Sequence, residues 1–72
     1  MTDEDYRTAL NGAHFAKRQI TFAGVELVHI QERVEEGIRS ETRDQLTNLQ
    51  STLRMALKEA TTLVRLMEEE TQ

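Results

Sequence analysis

The feature that most constrains this chain is an unbroken alternation of three- and four-residue steps between apolar residues. In the first half it runs through Tyr6, Ala9, Ala13, Ala16, Ile20, Ala23, Leu27, Ile30 and Val34. In the second half it runs through Leu46, Leu49, Leu53, Ala56, Ala60, Leu63 and Met67. Such spacing places every member on one side of an α-helix and is typical of helices that pack against other helices. The sequence therefore predicts an all-α chain with two long helices, each with an apolar seam.

Local signals predict where the two helices begin and end. Thr2 followed by Asp5 resembles a capping box, which starts helix 1 near residue 3. Gly37 favours the end of that helix, and Ser40 and Thr42 are both suitable N-caps for the next one. We therefore predict a single domain over residues 1–72, with helix 1 at about 3–36, a connection at about 37–41 and helix 2 at about 42–69.

The apolar stripes are wider than a single helix–helix contact requires. A core built from only 72 residues is small, and an isolated hairpin would leave part of each stripe in water. Pairing two hairpins into an antiparallel four-helix bundle would cover the remaining apolar surface. The sequence thus predicts an antiparallel helical hairpin that forms a homodimer, unless a partner protein completes the bundle.

Catalytic and metal-binding signatures are weak in this sequence. There is no cysteine, so disulfides and thiolate metal sites are excluded. His14 and His29 are the two imidazoles, and fifteen residues of one helix separate them too far to act together. We therefore expect no catalytic residue, no metal and no cofactor. No apolar run approaches the ~18 residues of a membrane span, so we expect a cytoplasmic protein with no membrane partner.

Charge is distributed unevenly along the chain. Thirteen acids and nine Lys and Arg give a net charge of −4. Six of the acids lie at the two ends, in segments 3–5 and 68–70, so seven acids face nine bases in the middle. The net charge by itself argues mildly against a nucleic-acid partner, but the middle of the chain is slightly basic.

A second stripe on helix 1 is separate from the apolar seam. Phe15, Phe22 and His29 are seven residues apart and share one position of the repeat. Asn11 and Gln19 lie one turn to either side of Phe15. Single apolar residues on a helix surface are ordinary, but two phenyl rings rimmed by polar groups also indicate an interaction face.

The chemistry of this stripe suits two kinds of partner. A phenyl ring can stack on an unpaired base, amides can contact base edges, and Lys17 or Arg18 can contact phosphates. A protein groove could equally accept Phe15 and Phe22 as anchors. The residues predicted to bind RNA or a partner protein are Asn11, His14, Phe15, Lys17, Arg18, Gln19 and Phe22.

The segment Thr8-Ala9-Leu10-Asn11, followed by Ala13, Phe15 and Gln19, resembles the first helix of the Rop family of plasmid copy-number regulators. The resemblance implies a helical hairpin that dimerises into an antiparallel four-helix bundle. It also implies binding to a kissing complex of two RNA hairpin loops, which speeds the pairing of an inhibitory RNA with a replication primer.

The resemblance assigns roles to individual residues of helix 1. Asn11, Phe15 and Gln19 match positions on the RNA-facing side of the family's first helix, and Lys17 matches a basic position. His14 stands where the family has arginine. The chain departs from the pattern at Glu4 and Glu26, which stand where the family carries lysines.

Two other readings of the sequence compete with an RNA-binding regulator. One is a small protein-interaction hairpin, such as an adaptor, a phage-encoded inhibitor or a type III secretion co-chaperone, that binds a protein through its apolar stripes. The other is a purely structural bundle, in which Phe15 and Phe22 affect nothing but solubility.

Overall fold

The computed structural model describes residues 2–34 and 37–70. Helix α1 spans Asp3–Val34 and helix α2 spans Ser40–Glu70, and within the described residues there is no strand. The prediction of an all-α chain with two long helices is therefore confirmed. The end of helix 1 predicted at about 36 lies outside the described residues. Helix α2 begins at Ser40, so Thr42 lies in its first turn.

The ends of the helices are stabilised by short-range hydrogen bonds. The backbone N–H of Asp5 donates to Thr2 Oγ1 at 3.1 Å, as the predicted capping box requires. Acidic side chains in the first turn of α1 oppose the positive end of its dipole. After α1, Gly37 N–H donates to the carbonyl of Val34 at 3.3 Å, which turns the chain towards α2.

The two helices lie antiparallel and side by side. At the open end of the hairpin the hydroxyl of Tyr6 contacts the carbonyl of Met67, and near the connection Gln50 Nε2 donates to Gln31 Oε1 at 2.6 Å. The resulting rod measures 53 × 15 × 15 Å. Its radius of gyration of 16.4 Å exceeds the roughly 11 Å expected for a compact domain of this length. The hairpin is therefore a thin, elongated body.

The helix–helix contact uses a different set of positions from the predicted seam. On each helix, every second residue of the seam faces the other helix. At the seam positions in between, it is the next residue of the sequence that faces the other helix. Leu27 and Val64 are the buried side chains of the described residues. The other positions of this contact are half-buried: Tyr6, Leu10, Ala13, Lys17, Ile20, Gly24 and Val34 on α1, and Leu46, Gln50, Leu53, Leu57, Ala60 and Met67 on α2.

The hydroxyl of Tyr6 joins the open ends of the two helices. It lies 2.9 Å from the carbonyl oxygen of Met67 and 2.8 Å from Glu70 Oε2, within donating distance of both. Partial burial raises the pKa of the Tyr6 phenol above its ordinary value, and the hydrogen bond and negative charge of Glu70 raise it further. The folded chain therefore holds this proton more tightly than the unfolded chain does.

Replacing Tyr6 with Phe should lower the melting temperature by a few degrees at neutral pH, because Met67 O and Glu70 Oε2 lose the one hydroxyl donor that they share. Since folding raises the pKa of Tyr6, its hydroxyl contributes its full stabilisation below the unfolded-state pKa near 10. This contribution disappears as the pH rises through the folded-state pKa. Circular dichroism melts at neutral and strongly alkaline pH measure both effects. The parent should lose more stability than Tyr6→Phe at alkaline pH, and equal losses would contradict the proposed contact.

Candidate functional site

The two phenyl rings of α1 lie on its outer side, away from α2. Phe15 is two residues from both Ala13 and Lys17, which belong to the helix–helix contact. At about 100° per residue, two residues carry a side chain about 200° around the helix. Phe15 and Phe22 are each 58% exposed, and His29 continues their line one heptad further on. We call Phe15, Phe22 and His29 the outer stripe.

Polar residues that flank the outer stripe are also exposed. Asn11 and Gln19 lie one turn before and one turn after Phe15, on either side of the stripe. Arg18 lies between the two rings, three residues from Phe15 and four from Phe22. Five of the seven predicted site residues are therefore close together on one outer surface of α1: Asn11, Phe15, Arg18, Gln19 and Phe22.

The other two predicted site residues lie elsewhere on α1. Lys17 is half-buried at a position of the helix–helix contact, on the opposite side of the helix from Phe15. His14 Nε2 lies 3.1 Å from Glu68 Oε1 of α2, so this imidazole ties the two helices together. Neither side chain shares the outer stripe. His14 was predicted from the resemblance to the Rop family, and Lys17 from that resemblance and from its closeness to Phe15 along the chain; neither signal contains the position of α2.

Charges divide the outer surface of α1 into a central segment and two ends. Residues 6–25 contain no acid and three Lys or Arg side chains, of which Lys17 lies at the helix–helix contact. Glu4 lies one heptad before Asn11, and Glu26 lies one heptad after Gln19, on the same two lines of the helix surface. Glu26 is exposed, with Oε1 4.0 Å from His29 Nδ1. The carboxylates of Glu4 and Glu26 therefore lie at the two ends of a surface segment that carries no negative charge.

A second surface is apolar and largely exposed, with Ala23 and Ala56 as its half-buried members. On both helices, the residues of this surface stand one position before residues of the helix–helix contact in the sequence. Because the helices are antiparallel, these two flanks lie on the same side of the hairpin. Ile30, Leu49 and Leu63 are between 41% and 50% exposed there. We call this surface the open face; it consists of Ala9, Ala16, Ala23, Ile30, Leu49, Ala56 and Leu63.

A third surface is a groove between the helices on the side opposite the open face. It has a volume of about 490 Å³, and Val25 and Val28 are nearly half exposed at its edge. Gly24 leaves open space in it, since a Cβ added there would meet no atom within 4 Å. Arg54 of α2 supplies its charge. Sequence reasoning missed this groove, although two valines outside the seam were a signal for it.

Glu26 and His29 have the Glu-x-x-His spacing used in carboxylate-bridged di-metal bundles. The expectation that the sequence contains no Glu-x-x-His motif was therefore wrong. In such bundles these side chains project into the core, but here both are more than half exposed on the outer side of α1. Within residues 2–34 and 37–70, no three His, Asp or Glu side chains are grouped to hold a metal ion. Within the described residues, Glu26 and His29 therefore have no third metal-ligating side chain beside them.

Neither described helix combines the length and apolar character needed to cross a lipid bilayer. Comparisons of the chain with protein-family models, curated proteins and solved structures find no match.

Proposed function

We propose that two copies of this hairpin form a four-helix bundle that binds paired RNA hairpin loops, in the manner of the Rop family that its first helix resembles. The observation that carries the proposal is the exposure of Phe15 between Asn11 and Gln19, on the side of α1 that faces away from α2. An exposed ring between two amides is unfavourable in water and unnecessary for the fold. It is suited to a ligand that offers both flat apolar faces and hydrogen-bonding edges.

The open face supports the homodimer. The chain exposes 6011 Å², whereas a folded monomer of 8.3 kDa would expose about 4,600 Å². The excess of about 1,400 Å² per chain is within the range that a stable homodimer buries. The seven side chains of the open face are all apolar, and no charge interrupts them. A second hairpin placed there would cover the apolar side chains that the contact between α1 and α2 leaves exposed.

In the dimer, the two outer surfaces together would select an RNA by its shape. A two-fold axis presents two copies of Phe15, Asn11 and Gln19, one from each chain. Two hairpin loops that pair with each other offer two equivalent sets of bases and phosphates. Recognition of this doubled shape, with Arg18 against phosphate and amides against sugar hydroxyls or base edges, does not require a particular base sequence.

The variant Phe15→Ala is expected to bind a kissing pair of RNA hairpins at least about tenfold more weakly than the parent, because base–aromatic stacking contributes ~1–3 kcal/mol per base. Fluorescence anisotropy at low salt measures the affinity. Met55→Ala is the matched control, since Met55 is 65% exposed on the outer side of α2. Equal affinities for the parent and Phe15→Ala, or no RNA binding by the parent, would exclude this function.

The groove favours a second candidate function, the binding of a protein partner. Val25 and Val28 form an apolar edge over the open space at Gly24, and Arg54 could pair with an acidic residue of an amphipathic helix. The two functions predict different losses. Protein binding should be lost in Val28→Glu, whereas RNA binding should be lost in Phe15→Ala.

A further inference from the structure

We infer that Phe15 and Phe22 act together as a two-ring platform for an unpaired RNA strand, with Arg18 holding the phosphate backbone between the rings. This inference rests on the RNA-binding function proposed above and specifies the part of the RNA that α1 contacts. The two rings are equally exposed and lie seven residues apart on one line of α1. Seven residues of helix correspond to about 10.5 Å between the rings.

The surface between the rings suits a nucleic-acid strand. Arg18 and Gln19 are exposed there, each within one turn of both rings. Among the described residues, Arg18 forms no ion pair, so its guanidinium is available to a phosphate. No acid occurs in residues 6–25 to repel a phosphate. A neutral apolar partner would leave Arg18 without an anion.

The other surfaces of the hairpin do not account for the exposure of Phe22. It lies outside the helix–helix contact and outside the groove. It also lies outside the open face, so a second copy docked there would cover Ile30, Leu49 and Leu63 and leave both rings in water. A bundle that needed only to dimerise would gain nothing from a second phenyl ring at this position.

The spacing of the rings selects unpaired nucleotides. Bases in a paired stem are stacked on both faces and cannot accept a phenyl ring, whereas bases in loops and at junctions can. Stacked bases repeat at about 3.4 Å along a strand, so the rings are about three base steps apart. A strand must therefore expose about four consecutive nucleotides to reach both rings. Nucleotides at the junctions of paired hairpins, and loop nucleotides outside the loop–loop pairing, supply such segments, and a blunt duplex does not.

Fluorescence anisotropy with three labelled RNAs tests this inference: a hairpin with an open loop, a kissing pair of such hairpins, and a blunt duplex of the same stem. The parent should bind the open loop and the kissing pair more tightly than the duplex. Phe22→Ala should weaken binding to the open loop about tenfold and leave the duplex unchanged, while Phe22→Tyr should retain binding. Met55→Ala is the control for an exposed apolar residue, and circular dichroism verifies the helices of each variant.

The outcomes separate the platform from the function on which it rests. If Phe15→Ala weakens binding while Phe22→Ala binds like Met55→Ala, the platform is wrong and the proposed function stands. If Phe22→Ala weakens the duplex and the open loop equally, the platform is also wrong, because the ring then contacts no unpaired base. If the parent binds none of the RNAs, or Phe15→Ala changes nothing, both proposals are wrong.

Discussion

A chain that carries Leu49→Glu together with Leu63→Glu is expected to run as a monomer of 8.3 kDa, whereas the parent should have twice that mass. Both leucines lie on the open face, where a second hairpin would surround them with apolar side chains. Each carboxylate buried without a partner costs several kcal/mol, and a symmetric dimer would bury four of them. The dissociation constant should therefore rise by more than about 1000-fold. Light scattering at micromolar concentration gives the mass directly.

The groove provides a matched control for this experiment. Val25 and Val28 are 47% and 46% exposed, close to the 41% and 50% of Leu49 and Leu63, but they lie on the opposite side of the hairpin. Val25→Glu with Val28→Glu adds the same charge and should remain dimeric. If the valine variant were a monomer and the leucine variant a dimer, the second copy would dock in the groove and not on the open face. A parent of 8.3 kDa would exclude the dimer.

The helices themselves were predictable because two independent signals agree. The three- and four-residue spacing repeats through both halves of the chain, and Thr2 supplies the hydroxyl that caps α1. Periodicity of this length outweighs any local preference of single residues. The start of α2 at Ser40 was less certain, because Ser40 and Thr42 are both good N-caps and the sequence does not choose between them.

The face that α1 presents to α2 could not be predicted from the apolar pattern. That face includes Lys17 and Gly24, with the exposed Gln31 at its edge, and none of these is a residue that pattern reading assigns to a core. Lys17 can cover apolar surface with its methylene chain while its ammonium group reaches water. Gln31 takes part through its hydrogen bond to Gln50. Ala16 and Ile30, which belong to the apolar seam, consequently stay exposed beside the contact with α2.

The positions of the candidate site residues could also be predicted only in part. The outward position of Phe15 follows from its distance of two residues from Ala13, whichever helix Ala13 contacts. The surroundings of His14 and Lys17 depend on where α2 lies across the hairpin, and one-dimensional periodicity does not contain that information. His14 consequently pairs with Glu68 of α2.

Replacing both Glu4 and Glu26 with Lys is expected to strengthen RNA binding and to make it more sensitive to salt. The two carboxylates lie one heptad beyond Asn11 and Gln19, at the two ends of the acid-free segment. They would face the phosphates of any RNA long enough to extend past the rings. Lysines there would convert two repulsive positions per chain into phosphate contacts, or four in the dimer.

The expected size of this effect follows from counterion release. Each phosphate contact changes the slope of log K against log salt by about 0.7–0.9, so four contacts should steepen it by about 3. Between 50 and 200 mM salt, the variant should therefore lose about 50- to 150-fold more affinity than the parent loses. Anisotropy titrations of the kissing pair at several salt concentrations measure the slope.

A control with the same change of net charge distinguishes local contacts from general attraction. Asp44→Lys with Glu69→Lys places two lysines on α2, where Asp44 lies in the first two turns and Glu69 pairs with Arg65 on the outer surface. Long-range attraction would tighten binding in both variants, but it is screened beyond a Debye length of about 8–10 Å at moderate salt. A slope that steepens by about 3 only in the Glu4 and Glu26 variant would locate the phosphates along α1. Equal slopes in both variants would mean that RNA does not follow α1 past Asn11 and Gln19.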